Sequence, residues 1–70
     1  MKLSKREIEV LKLVSAEFTI KEMAKELFLS NHTVVSHCKN IKVKLGVKNS
    51  AGLVRAGFEM GYLELRTSQY

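Results

Sequence analysis

The sequence contains no proline, a single cysteine and, between Glu26 and Glu59, no acidic residue. Each absence excludes something. A lone cysteine, Cys38, cannot close an intramolecular disulfide. With only His32 and His37 beside it, no zinc-ligand set exists. The setting expected is therefore a reducing, cytoplasmic one. No apolar run approaches the ~18 residues that a membrane span needs, and no signal-peptide pattern opens the chain. No cofactor loop, metal set or nucleophile constellation is present, so neither an enzyme nor a cofactor is expected. The carboxylates of Glu7 and Glu22 have no His or Ser nearby to make a catalytic group.

What is present favours packed helices over disorder: 46% hydrophobic residues and no proline to interrupt them. The expectation is one all-α domain spanning residues 1–70, with a tail from Arg66 to Tyr70 that frays. A chain this short buries roughly 60% of its unfolded surface and has a marginal core. Twelve basic against seven acidic residues leave a net charge of +5. The distribution is more informative than the total. All acids lie before residue 27 or after residue 58, whereas Lys39, Lys42, Lys44, Lys48 and Arg55 fall in the gap. The middle of the chain is the strongly positive part, as suits an anionic partner.

Four helices and no strands are legible. Ser4-Lys5-Arg6-Glu7 is a capping box that opens a first helix. Ile8, Val10, Leu11 and Val14 form its apolar face, and it fades between Ser15 and Glu17. Thr19-Ile20-Lys21-Glu22 is a second capping box, opening a short helix over about residues 20 to 27 with Met23, Ala24 and Leu27 inward. The connection Phe28-Leu29-Ser30 is expected to bury both bulky residues and so fix the angle to the next helix. Ser30 caps that third helix, which runs to Leu45, some 20 Å, and stops at Gly46. Asn49 caps a fourth, from about Ser50 to Met60, stopped at Gly61. Gly52 and Gly57 inside it each cost roughly 1 kcal/mol relative to Ala. Leu53, Ala56 and Met60 cover one side of it, and Ala51, Val54 and Phe58 another. Two apolar faces imply burial against the core and against something else.

The third helix has two unlike sides. Val34, Cys38, Ile41 and Leu45 recur at helical spacing as an anchoring stripe, while His32, Ser36, Lys39 and Val43 share the opposite face. A short helix, a tight turn and a longer helix with a polar outer face make a helix-turn-helix, whose second helix enters the major groove of DNA. That groove is about 12 Å wide and admits one helix.

The blocks Leu3-Ser4-x-Arg6-Glu7-x-Glu9-Val10-Leu11, Lys21-Glu22-x-Ala24-x-x-Leu27, Ser30-x-x-Thr33-Val34-x-x-His37 and Asn40-Ile41-x-x-Lys44-Leu45-Gly46-Val47 resemble the LuxR-type, or GerE-like, DNA-binding domain of bacterial regulators. The resemblance covers residues 3 to 63. It implies a four-helix domain whose third helix reads DNA and whose fourth often mediates dimerisation. It places base-facing positions on Val35, Ser36 and Lys39, with Asn31, His32 and Thr33 near phosphate or the first bases. Asn40 belongs to the same helix. Lys21, Lys48 and Asn49 fall beside the DNA backbone, and Ala51, Val54 and Phe58 on a dimer face. The chain departs from the pattern at several points. Val35 stands where a basic residue is frequent and offers methyl groups to a thymine methyl. Lys42 replaces an aromatic or long apolar residue, Val43 a basic one and Ser50 a common Arg. Glu17 replaces a common Gly, and Ile20 a common Asn.

The expected partners are double-stranded DNA and a second copy of the chain, with RNA polymerase a further candidate. Charge for affinity is expected from the distal end of the third helix and beyond, at Lys42, Lys44 and Lys48. His37, beside the apolar stripe, is expected to make a structural hydrogen bond, and Cys38 to be a small core residue. Two other functions stay open on the residues alone. One is a helical protein-interaction module docking through the fourth helix. The other is a promoter-recognition domain resembling the last region of sigma factors. Family members usually carry a receiver or sensing domain before this module, so the chain is either a small regulator in itself or an output domain.

Overall fold

Four helices, α1 (Lys5–Ser15), α2 (Ile20–Leu27), α3 (Asn31–Leu45) and α4 (Ser50–Glu59), account for most of the chain. The computed structural model describes residues 2–64, and no strand occurs among them. The fraying expected of Arg66 to Tyr70 lies outside the described residues. Boundaries agree with the capping signals because those signals are local. The Ser4 hydroxyl accepts from the Glu7 amide at 3.1 Å while the Glu7 carboxylate accepts from the Ser4 amide at 2.8 Å. Thr19 and Glu22 repeat the arrangement at the same two distances. Ser30 caps α3 through the Thr33 amide at 3.1 Å, and Asn49 caps α4 through the Gly52 amide at 2.9 Å. Replacing such a cap by Ala costs about 1 kcal/mol.

All four helices close in the same way. The amide of the second or third residue past the end reaches back to a carbonyl five residues earlier: Phe18 to Leu13, Leu29 to Ala24, Val47 to Lys42 and Tyr62 to Gly57, at 2.8–3.0 Å. That closure needs a left-handed residue just before the donor. Gly46 (φ 68°) and Gly61 (φ 84°) supply it without a steric penalty. Glu17 (φ 66°) and Phe28 (φ 57°) supply it with a Cβ, which is disfavoured by roughly 1–2 kcal/mol each.

The core joins Val10 and Leu11 of α1, Met23 and Ala24 of α2, Val34, Ile41 and Leu45 of α3, and Leu53 and Ala56 of α4. Leu3 and Leu63 close it from the two flanks. The Leu3 amide donates to the Tyr62 hydroxyl at 3.3 Å, tying those flanks together. Gly57 explains itself here: a Cβ at this position would lie 2.7 Å from Leu63 Cδ1 and 3.1 Å from Leu11 Cδ2. The glycine that weakens α4 as a helix leaves the space into which Leu63 folds back.

Two expectations fail. Phe28 is not buried: it is 93% exposed, because its left-handed turn points the ring outward while Leu29 packs on the core instead. Met60 does not cover the inner side of α4; it caps the helix end and is 58% exposed, and Gly57 takes the inner position.

Candidate nucleic-acid interface

α3 packs against α1, α2 and α4, so its orientation is set by the whole domain. Val34 and Ile41 on its inner stripe are fully buried, and Leu45 is buried at its end. Cys38 is half-buried against the same cluster. With that side fixed, the opposite side faces solvent. His32, Lys39 and Asn40 are exposed, Val35 is 44% exposed and Ser36 half-buried. Residues four apart rise about 6 Å along the axis, so His32, Ser36 and Asn40 make one row and Val35 and Lys39 the row beside it. Val43, also exposed, extends this face toward the far end.

Charge separates the helix starts. α1 and α2 each carry a glutamate in the first turn, Glu7 and Glu22, whereas α3 and α4 carry no acid there. Amides at a helix start are partly positive and free to donate. Those of Asn31 and His32 have no partner among the described residues, and neither do those of Ser50 and Ala51. With no carboxylate to compete, both starts suit phosphate oxygens. Asn31 and His32 at the first, and Lys48 and Asn49 at the second, are exposed. Lys21, exposed in the first turn of α2, shares its turn with Glu22. Two of the candidate side chains already have work within the fold. The Thr33 hydroxyl lies 2.9 Å from that of Ser30, and the Asn49 side-chain oxygen is taken by the Gly52 amide, leaving its NH2 group free.

Among the described residues Lys39, Lys42, Lys48 and Arg55 form no ion pair. Arg55 counts in the sequence only toward the acid-free positive stretch, with no contact of its own assigned to it. Lys44 is a correction. Its ammonium donates to the buried carboxylate of Glu7 at 2.7 Å, so it serves the core and not the charge available to a ligand. Burial alone would raise the Glu7 pKa. The Lys44 hydrogen bond, the Ser4 amide and the Lys44 charge together outweigh it and hold the carboxyl below its ordinary value. The sequence offered no sign of this pair, because 37 residues separate its members.

His37 is half-buried and makes no side-chain hydrogen bond among the described residues, contrary to the structural role expected for it. Burial pushes the Cys38 thiol above its ordinary pKa, with a partial offset from the Lys42 charge, so it stays protonated near neutrality and unreactive. On α4, Ala51 is exposed and Phe58 38% exposed, while Val54 between them is half-buried and packs in part against the core.

Residues 1–56 match the family described as bacterial regulatory proteins, luxR family. The chain belongs to that family. Members are helix-turn-helix DNA-binding transcription regulators and not enzymes. The chain is 48% identical over 63 residues to the spore germination protein GerE of Bacillus subtilis (strain 168), covering 90% of itself and 85% of GerE. It is 42% identical over 62 residues to the oxygen regulatory protein NreC of Staphylococcus aureus (strain JH9), of which it spans only 29%. Among solved structures, the response regulator ChrA of a heme-sensing two-component system superposes with a TM-score of 0.86 at 33% identity. That match covers 90% of this chain and 31% of ChrA. Chain and ChrA thus share the four-helix, helix-turn-helix fold. The helices of the described residues include none long and apolar enough to cross a membrane.

Proposed function

We propose that this luxR-family chain binds double-stranded DNA sequence-specifically in the cytoplasm, with α3 in the major groove, and regulates transcription as a homodimer on an inverted repeat. The observation that carries the reading is the outer side of α3: open to solvent, with His32, Lys39 and Asn40 beside Val35 and Val43, free of carboxylates, on a helix held by three others. Val35, Ser36 and Lys39 would meet base edges, with Val35 placed for a thymine methyl. Asn31, His32, Thr33 and Asn40 flank them on the same helix. The free amides at the α3 start, with Lys21, Lys48 and Asn49, would hold phosphates and so fix register. Ala51, Val54 and Phe58 would join two copies, placing half-sites about one helical turn, roughly 34 Å, apart. RNA polymerase is then a partner at the promoter.

The test is selection of bound DNA from a random pool. An enriched palindrome supports the function, the symmetry and the spacing together. Enrichment of a single unpaired half-site would remove the dimer. Recovery of no sequence, with binding that stays weak as salt is lowered, would remove the function.

A further inference from the structure

The exposed side of α2, up to the turn that leads into α3, carries a groove lined by Phe18, Glu22, Lys25, Glu26 and Phe28. Its two aromatic walls differ. Phe18 is half-buried and fixed against the core, whereas the Phe28 ring stands almost wholly in water. Three features of this site run against stability. A large apolar side chain is exposed. It sits in a left-handed conformation that glycine or asparagine would hold more easily, as Gly46 and Gly61 do at two other helix ends. And Glu26 lies in the last turn of α2, where the helix dipole disfavours an anion. The Phe28 backbone closes α2, but neither side chain returns anything to the fold: Phe28 packs on no core residue, and Glu26 makes no hydrogen bond or ion pair among the described residues.

The rim is acidic on balance, with Glu22 and Glu26 against Lys25, in a chain whose net charge is +5. At the Glu26–Phe28 end of α2 a carboxylate would repel a phosphate backbone, so that end of the groove is no extension of the DNA-binding face, whose proposed contact on α2 is Lys21. An aromatic wall beside anions complements an apolar side chain flanked by cations, and desolvated aromatic anchors of this kind carry most of the energy of protein interfaces.

We propose that the groove between Phe18 and Phe28 docks a protein segment that presents an apolar side chain next to arginine or lysine. This goes beyond the DNA-binding reading and leaves the outer side of α3 free, so one chain can hold both ligands.

The test uses a displayed library of random peptides selected on the purified chain, with the recovered peptide then synthesised and titrated. Phe28→Asn keeps the left-handed helix end and removes the ring; Glu26→Gln removes the anion without disturbing the Thr19–Glu22 capping box. Enriched peptides should join Leu, Ile, Phe or Trp to Arg or Lys. Phe28→Asn should weaken the synthesised peptide about tenfold or more, and Glu26→Gln a few-fold. Both variants should bind the selected DNA as wild type does and melt no lower. No enrichment, enrichment of acidic peptides, or a peptide indifferent to Phe28→Asn would overturn the proposal. So would loss of DNA affinity in a folded Phe28→Asn variant, which would assign Phe28 to DNA. Self-association that Phe28→Asn abolishes would make a second copy the occupant. Peptide and DNA readouts are separate, so failure of one leaves the other standing.

Discussion

Lys44, near the end of α3, donates to the carboxylate of Glu7, in the first turn of α1, at 2.7 Å. The same oxygen accepts the amide of Ser4. One buried carboxylate therefore caps one helix and anchors another, and the helix it anchors is the one proposed to enter DNA. No buried side-chain nitrogen or oxygen among the described residues is left without a partner.

Removing the charge at this junction leaves the partly buried Lys44 ammonium uncompensated. Glu7→Gln should destabilise the domain by about 1–3 kcal/mol at neutral pH, measured by urea denaturation. The pH dependence has a defined sign. The Glu7 pKa is lowered in the folded state, so its contribution is fully present above the unfolded value, about 4.3. It is lost as pH falls through the folded value. The stability gap between wild type and Glu7→Gln should hold from pH 7 to about pH 5 and narrow below pH 4. A gap that stays constant down to pH 3 would show that the ion pair is not its source.

The engagement of Lys44 also divides the lysines of the positive segment. Lys39→Ala should weaken specific DNA binding more than nonspecific binding, since its side chain lies on the row proposed to read bases. Lys48→Ala should weaken both alike and flatten the plot of log K against log salt by about one unit. Lys44→Ala should leave that slope unchanged, because its charge is already neutralised within the fold; its effect should appear as lower stability. Equal DNA affinity in Lys39→Ala, Lys48→Ala and wild type would rule out the docking proposed for α3.

The contrast between these lysines shows what the sequence could and could not disclose. Both capping boxes, and the stripe of Val34, Ile41 and Leu45, were legible because they depend on residues three or four apart. So was the outer face of α3, which is the complement of that stripe. The Glu7–Lys44 pair was not, since it joins helices distant in the chain. Phe28 was misread because its hydrophobicity is local information, whereas the left-handed turn that turns it outward belongs to the backbone. Gly57 read as a weak point in α4 because the residue that fills its space, Leu63, lies beyond the helix and outside its periodicity. Which of the exposed residues on α3 touch bases is a property of a complex, and no pattern of burial decides it.

The outer face of α4 allows a direct test of the dimer. Phe58 is exposed and remote from the buried positions Leu53 and Ala56, so a charge there should not disturb the core. Phe58→Glu should sediment as a monomer at concentrations where the wild-type chain is dimeric, with an unchanged helical circular dichroism spectrum. Its affinity for a palindromic site should fall toward that for a single half-site. A variant that remains dimeric would exclude this face.

Glu17 offers a test of the shared helix ending. It is exposed, holds a φ of 66° and makes no side-chain hydrogen bond or ion pair among the described residues. Its backbone meanwhile sets up the closure in which the Phe18 amide reaches the Leu13 carbonyl at 3.0 Å. Glycine adopts this conformation without the clash between Cβ and the following carbonyl, though it gains freedom in the unfolded chain. The first effect is the larger, so Glu17→Gly should stabilise the domain by about 1 kcal/mol and raise the melting temperature by roughly 4–8 °C. The opposite substitution at the equivalent position of α3, Gly46→Ala, should lower stability by a similar amount: open space surrounds the site, so only the φ of 68° opposes the new methyl. Thermal unfolding of the two variants side by side measures the same backbone penalty twice with opposite sign. Shifts in the same direction would mean that side-chain environment, not the left-handed conformation, governs these helix ends.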